Sequence, residues 1–250
     1  MRFFLADFHI HTALSPCAEN EMTPPAIIAA AKDKGLEVIG ICDHNSAENV
    51  MAVMEAGKAE GIMVIGGAEV QTAEDVHILT FFRDYGNLIL WQEEIYAALP
   101  GIKNDEVKFG EQLIMNSHGE ITGRLTAFLL SSTFMSIDYV GKRVRELGGF
   151  VIPAHVDRPS FSLIRNLGFV PAGLEPCCVE LSKNISIEQA KKKFPSIAQF
   201  PLIKSSDAHR LNEISPYTKI WMKDKIWDEL LLALNFAGGR YILPSDTCLR

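Results

Sequence analysis

The sequence predicts an α/β fold in which short apolar strands alternate with helices and build one parallel sheet or barrel. Three observations point there. Residues 2–82 alternate strand-like and helix-like segments, the pattern of successive βα units. The 250 residues carry 48% hydrophobic and 22% charged side chains with 18 Gly and 12 Pro, a globular composition that excludes a disordered, collagen-like or coiled-coil chain. Finally, His, Asp and Glu recur on or just after the apolar strands, where α/β sheets and barrels place their sites.

Arg2–Ile10 reads as the first strand. Thr23 is a helix cap with Pro24 at the first helical position, and Gly35 stops that helix. A buried strand follows at 38–42, a helix at 49–60 closed by Gly61, and strands at 63–65 and 76–82. From about 84 to 148 the character changes. Helices are expected at 88–99, 106–114 and 125–131, and Ser136 caps another that runs to Leu147. This stretch reads as a helical insertion or lid within a single domain of residues 1–250. Strands return at 150–153, 178–181 and 202–204. Ser186 caps a helix over 187–193, and Asp224 caps one over 225–237.

Charge and cysteine usage narrow the class. There are 24 Lys+Arg against 31 Asp+Glu, a net charge of −7 with pI near 5.5, so tight duplex nucleic-acid binding is not expected. Five cysteines (Cys17, Cys42, Cys177, Cys178 and Cys248) are an odd set with an adjacent pair, which argues against a disulfide framework. No apolar leader fits before Asp7, and the longest strongly apolar stretch, 230–234, is far short of a membrane span. A soluble cytoplasmic protein is the expectation.

The chemistry lies in the seven histidines. His9 and His11 are two apart on a strand, so both imidazoles face one side and can share a cation. Asp43-His44 follows the second strand, and Glu69 follows Gly66-Gly67-Ala68 with two oxygens able to bridge two cations. His77 opens an apolar strand, His155 follows 150–153, and Asp207 and His209 follow 202–204. Each alone could be a satisfied polar residue at a strand end. Six of seven His with three carboxylates on converging strand ends predict a polynuclear metal site. His118, in Asn116-Ser117-His118-Gly119, reads as an exposed loop residue.

These pieces resemble the PHP (polymerase and histidinol phosphatase) family: Asp7-Phe8-His9-Ile10-His11-Thr12, Asp43-His44, Glu69, His77, Pro153-Ala154-His155 and Ser206-Asp207-Ala208-His209. The resemblance implies a distorted seven-stranded (β/α) barrel, TIM-barrel-like, with two to three divalent ions (zinc, manganese or iron) at its mouth. By the same resemblance His9, His11, Glu69 and Asp207 hold a first ion, and Glu69, His77 and His155 a second. His44 and His209 hold a third, with Asp43 nearby. Relatives often carry a further His shortly after the first pair; Cys17 stands near that position and could serve as a thiolate ligand.

The implied activity is a metal-dependent phosphoesterase acting on a small phosphorylated metabolite or nucleotide through a metal-bridging hydroxide, with Glu69, Asp43 and Asp207 as the catalytic carboxylates. Arg158, Arg210, Ser160 and Ser162 are candidate phosphate contacts. A phosphorylated small molecule is the expected partner. The alternatives are a histidinol-phosphate phosphatase, a nuclease acting on nucleic-acid ends, and a non-catalytic metal-stabilised scaffold.

Overall fold

The computed structural model describes residues 1–245, so Cys248 lies outside the described residues. Its elements, in chain order, are β1 (Arg2–Ile10), α1 (Pro24–Asp33), β2 (Val38–Ile41), α2 (Val50–Ala59), β3 (Met63–Gln71), β4 (His77–Phe82), α3 (Tyr85–Ala97), α4 (Glu106–Phe109), β5 (Leu113–Met115), β6 (Ile121–Arg124), α5 (Ile137–Glu146), β7 (Gly149–Pro153), α6 (Leu163–Leu167), β8 (Val179–Leu181), α7 (Ile187–Lys193), β9 (Leu202–Lys204), β10 (Thr218–Met222), α8 (Trp227–Leu234) and β11 (Tyr241–Pro244). A curled seven-stranded sheet in the order β11-β10-β1-β2-β3-β4-β7 forms a half-barrel. The parallel pair β8–β9 stands apart from this sheet. It is tied to the chain after β7 and to β1: Val156 N–H donates to Glu180 C=O at 3.0 Å, and Ala208 N–H donates to His9 C=O at 3.2 Å.

Local signals account for most elements. Thr23 is extended at φ −80° and accepts from Ala26 N–H, so α1 starts where the Thr-Pro pair predicts, and Gly35 leaves it at φ +70°. Ser186 and Gln189 make a reciprocal capping box on α7. Gly40 sits against β1, where a Cβ would collide with the Phe8 carbonyl oxygen; only glycine lets the two strands approach. The sheet is apolar on both faces. Phe4, Ala6, Phe8, Ile65, Leu79 and Phe81 fill the concave side. Ile39, Ile41, Val70 and Ile78 meet Ile27, Val53, Trp91 and Val140 from the covering helices.

Several expectations are corrected. The sheet is mixed: β1, β2 and β3 are parallel, while β4 runs antiparallel between β3 and β7, and β10 and β11 add antiparallel beyond β1. The middle stretch is only partly helical. Helix at 106–114 shrinks to α4, which Gly110 ends at φ +99°, and the chain then forms the β5–β6 hairpin. Residues 125–131 form no helix; Gln112 holds that segment through its side chain, donating to the Leu125 and Ala127 carbonyls. Asp224 does not cap α8, whose N-cap is Ile226. The four described cysteines are free thiols. No helix among the described residues is long and apolar enough to cross a membrane.

Candidate metal centre

The concave end of the half-barrel gathers side chains from 9 to 209 around Glu69. On β3, Glu69 is fully buried and held by its own backbone: its N–H donates to Asp43 C=O and its C=O accepts from Asn45 N–H. Its Oε1 lies 2.9 Å from His77 Nδ1, 3.2 Å from His155 Nε2 and 3.3 Å from His9 Nε2, and its Oε2 lies 2.8 Å from His44 Nδ1. His11 Nε2 is 3.5 Å from Oε2. Burial would raise the Glu69 carboxyl, but His77, His9 and His44 outweigh it and hold it well below the usual carboxylate range.

His77 reaches this point because of the antiparallel turn. It opens β4, and β4 runs back from β3, so the first residue of one strand stands opposite Gln71 at the last of the other. Phe161 stacks on its ring at 4.7 Å between centroids. His155 and Asp207 leave β7 and β9 in the left-handed region, at φ +30° and +51°. Neither is glycine, so each carries backbone strain of about 1–3 kcal/mol, a cost that clusters at functional sites.

The other nitrogens are fixed by buried acceptors. Glu180 on β8 places both oxygens 3.1–3.2 Å from His9 Nδ1, so that nitrogen carries a proton and Nε2 faces the cluster. Ser15 accepts from His11 Nδ1 at 2.9 Å and donates onward to Asp43 at 2.7 Å. His209 Nδ1 donates to the Asp207 carbonyl at 2.9 Å. His9 and His11 therefore both aim Nε2 inward, 3.1 Å apart, with Asp207 Oδ1 at 3.3 and 3.1 Å from them. Two facing lone pairs beside two carboxylates call for positive charge, as a proton or a cation. Burial disfavours a charged His9, but Glu180, Asp207 and Glu69 pull it well up; His11 is pushed well down by burial and by His209 and His44.

The donor set fits divalent metal. Three groups bring ligand atoms within 4.8 Å of one another: His9, His11 and Glu69; His44, Glu69 and His77; His11, His44 and His209. His44 Nδ1, His77 Nδ1 and Glu69 Oε2 are buried in close mutual contact yet lack hydrogen-bond geometry, the state expected of atoms that aim at a shared cation. Imidazole and carboxylate together suit zinc, iron or manganese. Cys17 lies at the exposed rim beside His44 and His209. Burial of its sulfur opposes ionisation, but the two imidazoles prevail and bring the thiol down to about 6.

Other predicted residues stand elsewhere. Asp43 is buried but turned away from the cluster: it accepts from Thr12 N–H, the Thr12 hydroxyl and the Ser15 hydroxyl, each at 2.7 Å, and so braces the loop that orients His11. Arg158 does face the site, with Nη1 2.5 Å from Asp207 Oδ2. Arg210 pairs with Glu19 at the surface, 2.9 Å away. Ser160 is exposed, and the Ser162 hydroxyl is used to cap α6 and to bond the Val156 carbonyl. His118 is an exposed turn residue, as expected. Glu180 was not anticipated. Its signal is faint: a Glu inside the strand Val-Glu-Leu, on the alternate face shared with buried Cys178 and Ser182.

Known proteins share this fold. The PHP domain profile matches residues 7–152. The uncharacterized protein YqxK of Bacillus subtilis (strain 168) is 23% identical, over 98% of this chain and 65% of its own length. Among solved structures, the lesion-specific endonuclease PfuEndoQ from Pyrococcus furiosus superposes with TM-score 0.72 at 20% identity, covering 96% of this chain and 58% of that one. Endonuclease Q in complex with a 27-mer duplex, with an abasic lesion at its active site, gives 0.69 at 18% identity, with the same coverages. The chain thus spans under two thirds of the length of each of these three relatives. The duplex complex corrects the expected partner: a small phosphorylated molecule, with duplex nucleic acid disfavoured by net charge, is not what this fold's structural neighbours point to. Net charge is a sum over the surface and is blind to how charge is distributed around a site.

Proposed function

Because the chain belongs to the PHP domain family, we propose that it is a metal-dependent phosphoesterase that cleaves phosphodiester bonds in nucleic acid. The observation that carries the metal-dependent reading is the Glu69 carboxylate ringed by four imidazoles at 2.8–3.3 Å, with the His44 and His77 contacts lacking hydrogen-bond geometry. Likeness to endonuclease Q over 96% of the chain supports nucleic acid as the substrate class.

His9, His11, Glu69 and Asp207 would hold one cation, Glu69, His77 and His155 a second, and His44, His209 and Cys17 a third. Divalent ions in such a cluster supply a nucleophile from water at neutral pH and neutralise the phosphoryl oxygens. The chain's own residues do the rest. Glu180 and the Ser15–Asp43 relay fix the tautomers and ring directions of His9 and His11. Arg158, a third exposed, presents its free guanidinium edge beside Asp207 and can fork onto a phosphate oxygen. Burial of the His9, His11, His44, His77 and His155 imidazoles limits bulk water at the cluster.

The test is cleavage of end-labelled duplexes, intact, nicked or bearing one abasic site, by chelator-treated protein with manganese or zinc restored. Strand scission that needs metal and is blocked by EDTA is expected. Turnover of p-nitrophenyl phosphate without scission of any duplex or single strand would overturn the nucleic-acid reading, and no turnover of any ester by metal-loaded protein would overturn the phosphoesterase reading.

A further inference from the structure

We infer that the cleft beside Arg158 is a track for the phosphodiester backbone leading to the metal cluster, with Arg165 and Lys193 as its phosphate contacts; this rests on the nucleic-acid reading above. A cavity of about 370 Å³ lies between the loop after β7 and the helices α6 and α7, lined by Arg158, Arg165 and Lys193 over Ile164 and Phe194. Arg158 joins cleft and cluster, since it lines the one and pairs with Asp207 in the other.

The charge around this cleft departs from that of the whole chain. Residues 158–200 carry six Lys+Arg against three Glu, in a protein of net charge −7. Two of those three are already engaged: Glu180 is buried on His9, and Glu175 lies 3.5 Å from Arg145. Arg83, Arg143, Arg210 and Arg240 each hold a carboxylate. Arg165 and Lys193 are exposed, and neither has a carboxylate within ion-pair distance among the described residues. Lys193 Nζ instead rests 5.1 Å over the Phe194 ring, which directs the ammonium and leaves its charge uncompensated. Asp157 also lines the cleft, but its two oxygens accept from the Ser182 N–H and hydroxyl at 2.6 Å, so it faces its own loop. Unpaired cations over an apolar floor, opening on a phosphoesterase centre, match a strand whose phosphates are charged and whose sugars are not. An acidic chain with one such strip would hold nucleic acid in one orientation and repel it elsewhere.

The experiment is fluorescence anisotropy of a labelled abasic-site duplex with the 250-residue chain in EDTA, across a salt series. Each phosphate contact contributes about 0.9 to the log–log salt slope, so Arg165→Ala/Lys193→Ala should flatten it by about 1.8. At 0.15 M salt that corresponds to about thirtyfold weaker binding, irrespective of sequence. Arg165→Lys should keep most of the affinity. The charge-matched control Lys32→Ala/Lys142→Ala, on exposed lysines of α1 and α5, should leave the slope unchanged. A double variant with parental slope and affinity would overturn the track while leaving the nucleic-acid reading intact. An equal drop in the control would also overturn it, by reducing the effect to net charge. A parent that neither binds nor cuts any nucleic acid would overturn both.

Discussion

Replacing Glu180 by Gln separates a residue that positions a metal ligand from one that merely fills a buried site. In the fold both Glu180 oxygens lie 3.1–3.2 Å from His9 Nδ1, at zero exposure. Gln keeps an oxygen that can accept from Nδ1–H, so ring orientation survives, but the charge that makes the imidazole a stronger donor is lost. Removing such an outer partner weakens metal binding by about 10–100-fold, or about 1.4–2.7 kcal/mol. The metal-free protein should respond with the opposite sign. Burial raises the Glu180 carboxyl; His9 pulls it back, while Asp207 and Glu69 push it up further, and the net shift is upward. An ionised Glu180 is therefore disfavoured on folding, and a neutral isostere should leave metal-free stability level or higher. Affinity is read by competition with a chromophoric chelator, and stability by thermal unfolding in EDTA. Affinity within about twofold of the parent, together with a metal-free loss of about 2 kcal/mol or more, would refute the argument and make Glu180 a folding residue.

Three further outcomes are expected. Glu69→Gln removes the charge shared by four imidazoles, so bound metal should fall and hydrolysis drop by about a hundredfold or more; activity within about threefold would take Glu69 out of the mechanism. In chelated protein Cys17 should alkylate with iodoacetamide with a midpoint near pH 6, and zinc should suppress the reaction; equal labelling with and without zinc would leave it a non-ligand. Glu229 is held down at about 2 by the Arg240 guanidinium and the Lys223 N–H, against burial. Its folded value is depressed, so its stabilisation is present above the ordinary Glu value of 4.5 and lost as pH falls toward 2. Glu229→Gln should flatten urea stability across that window, and an unchanged pH profile would count against the pair.

Strand-end chemistry was legible in the sequence because spacing of two on a strand and position after an apolar run are both local. That signal singles out His9, His11, Glu69, His155, Asp207 and His209, which the fold gathers at one end, and β1 and β9 have the predicted bounds. Direction along the sheet is not local. His77 lies at the start of its strand, and only the antiparallel β3–β4 pairing brings it to the same end as Glu69. β10 and β11 carry no such local mark, and they gain their burial from antiparallel pairing beyond β1. Asp43 illustrates a related limit of one-dimensional reading. A carboxylate next to a ligand His looks catalytic in one dimension, while in three its oxygens are spent on Thr12 and Ser15. Arg158 and Arg210 both follow a candidate ligand histidine in the sequence, and the fold separates them through their partners, Asp207 and Glu19.

The imidazole ring around Glu69 also sets a timescale. Its members come from positions 9, 44, 77 and 155, and the cluster is completed by residues 207 and 209, so no contiguous fragment contains it. Loop closures of such span are made late, after the helices and the local β3–β4 hairpin can form. A cation that binds only the finished cluster stabilises the native state and not the barrier leading to it. Zinc should therefore slow unfolding and leave the refolding arm of a chevron nearly unchanged. A refolding rate that climbs with zinc would mean instead that part of the ring assembles before the sheet has closed.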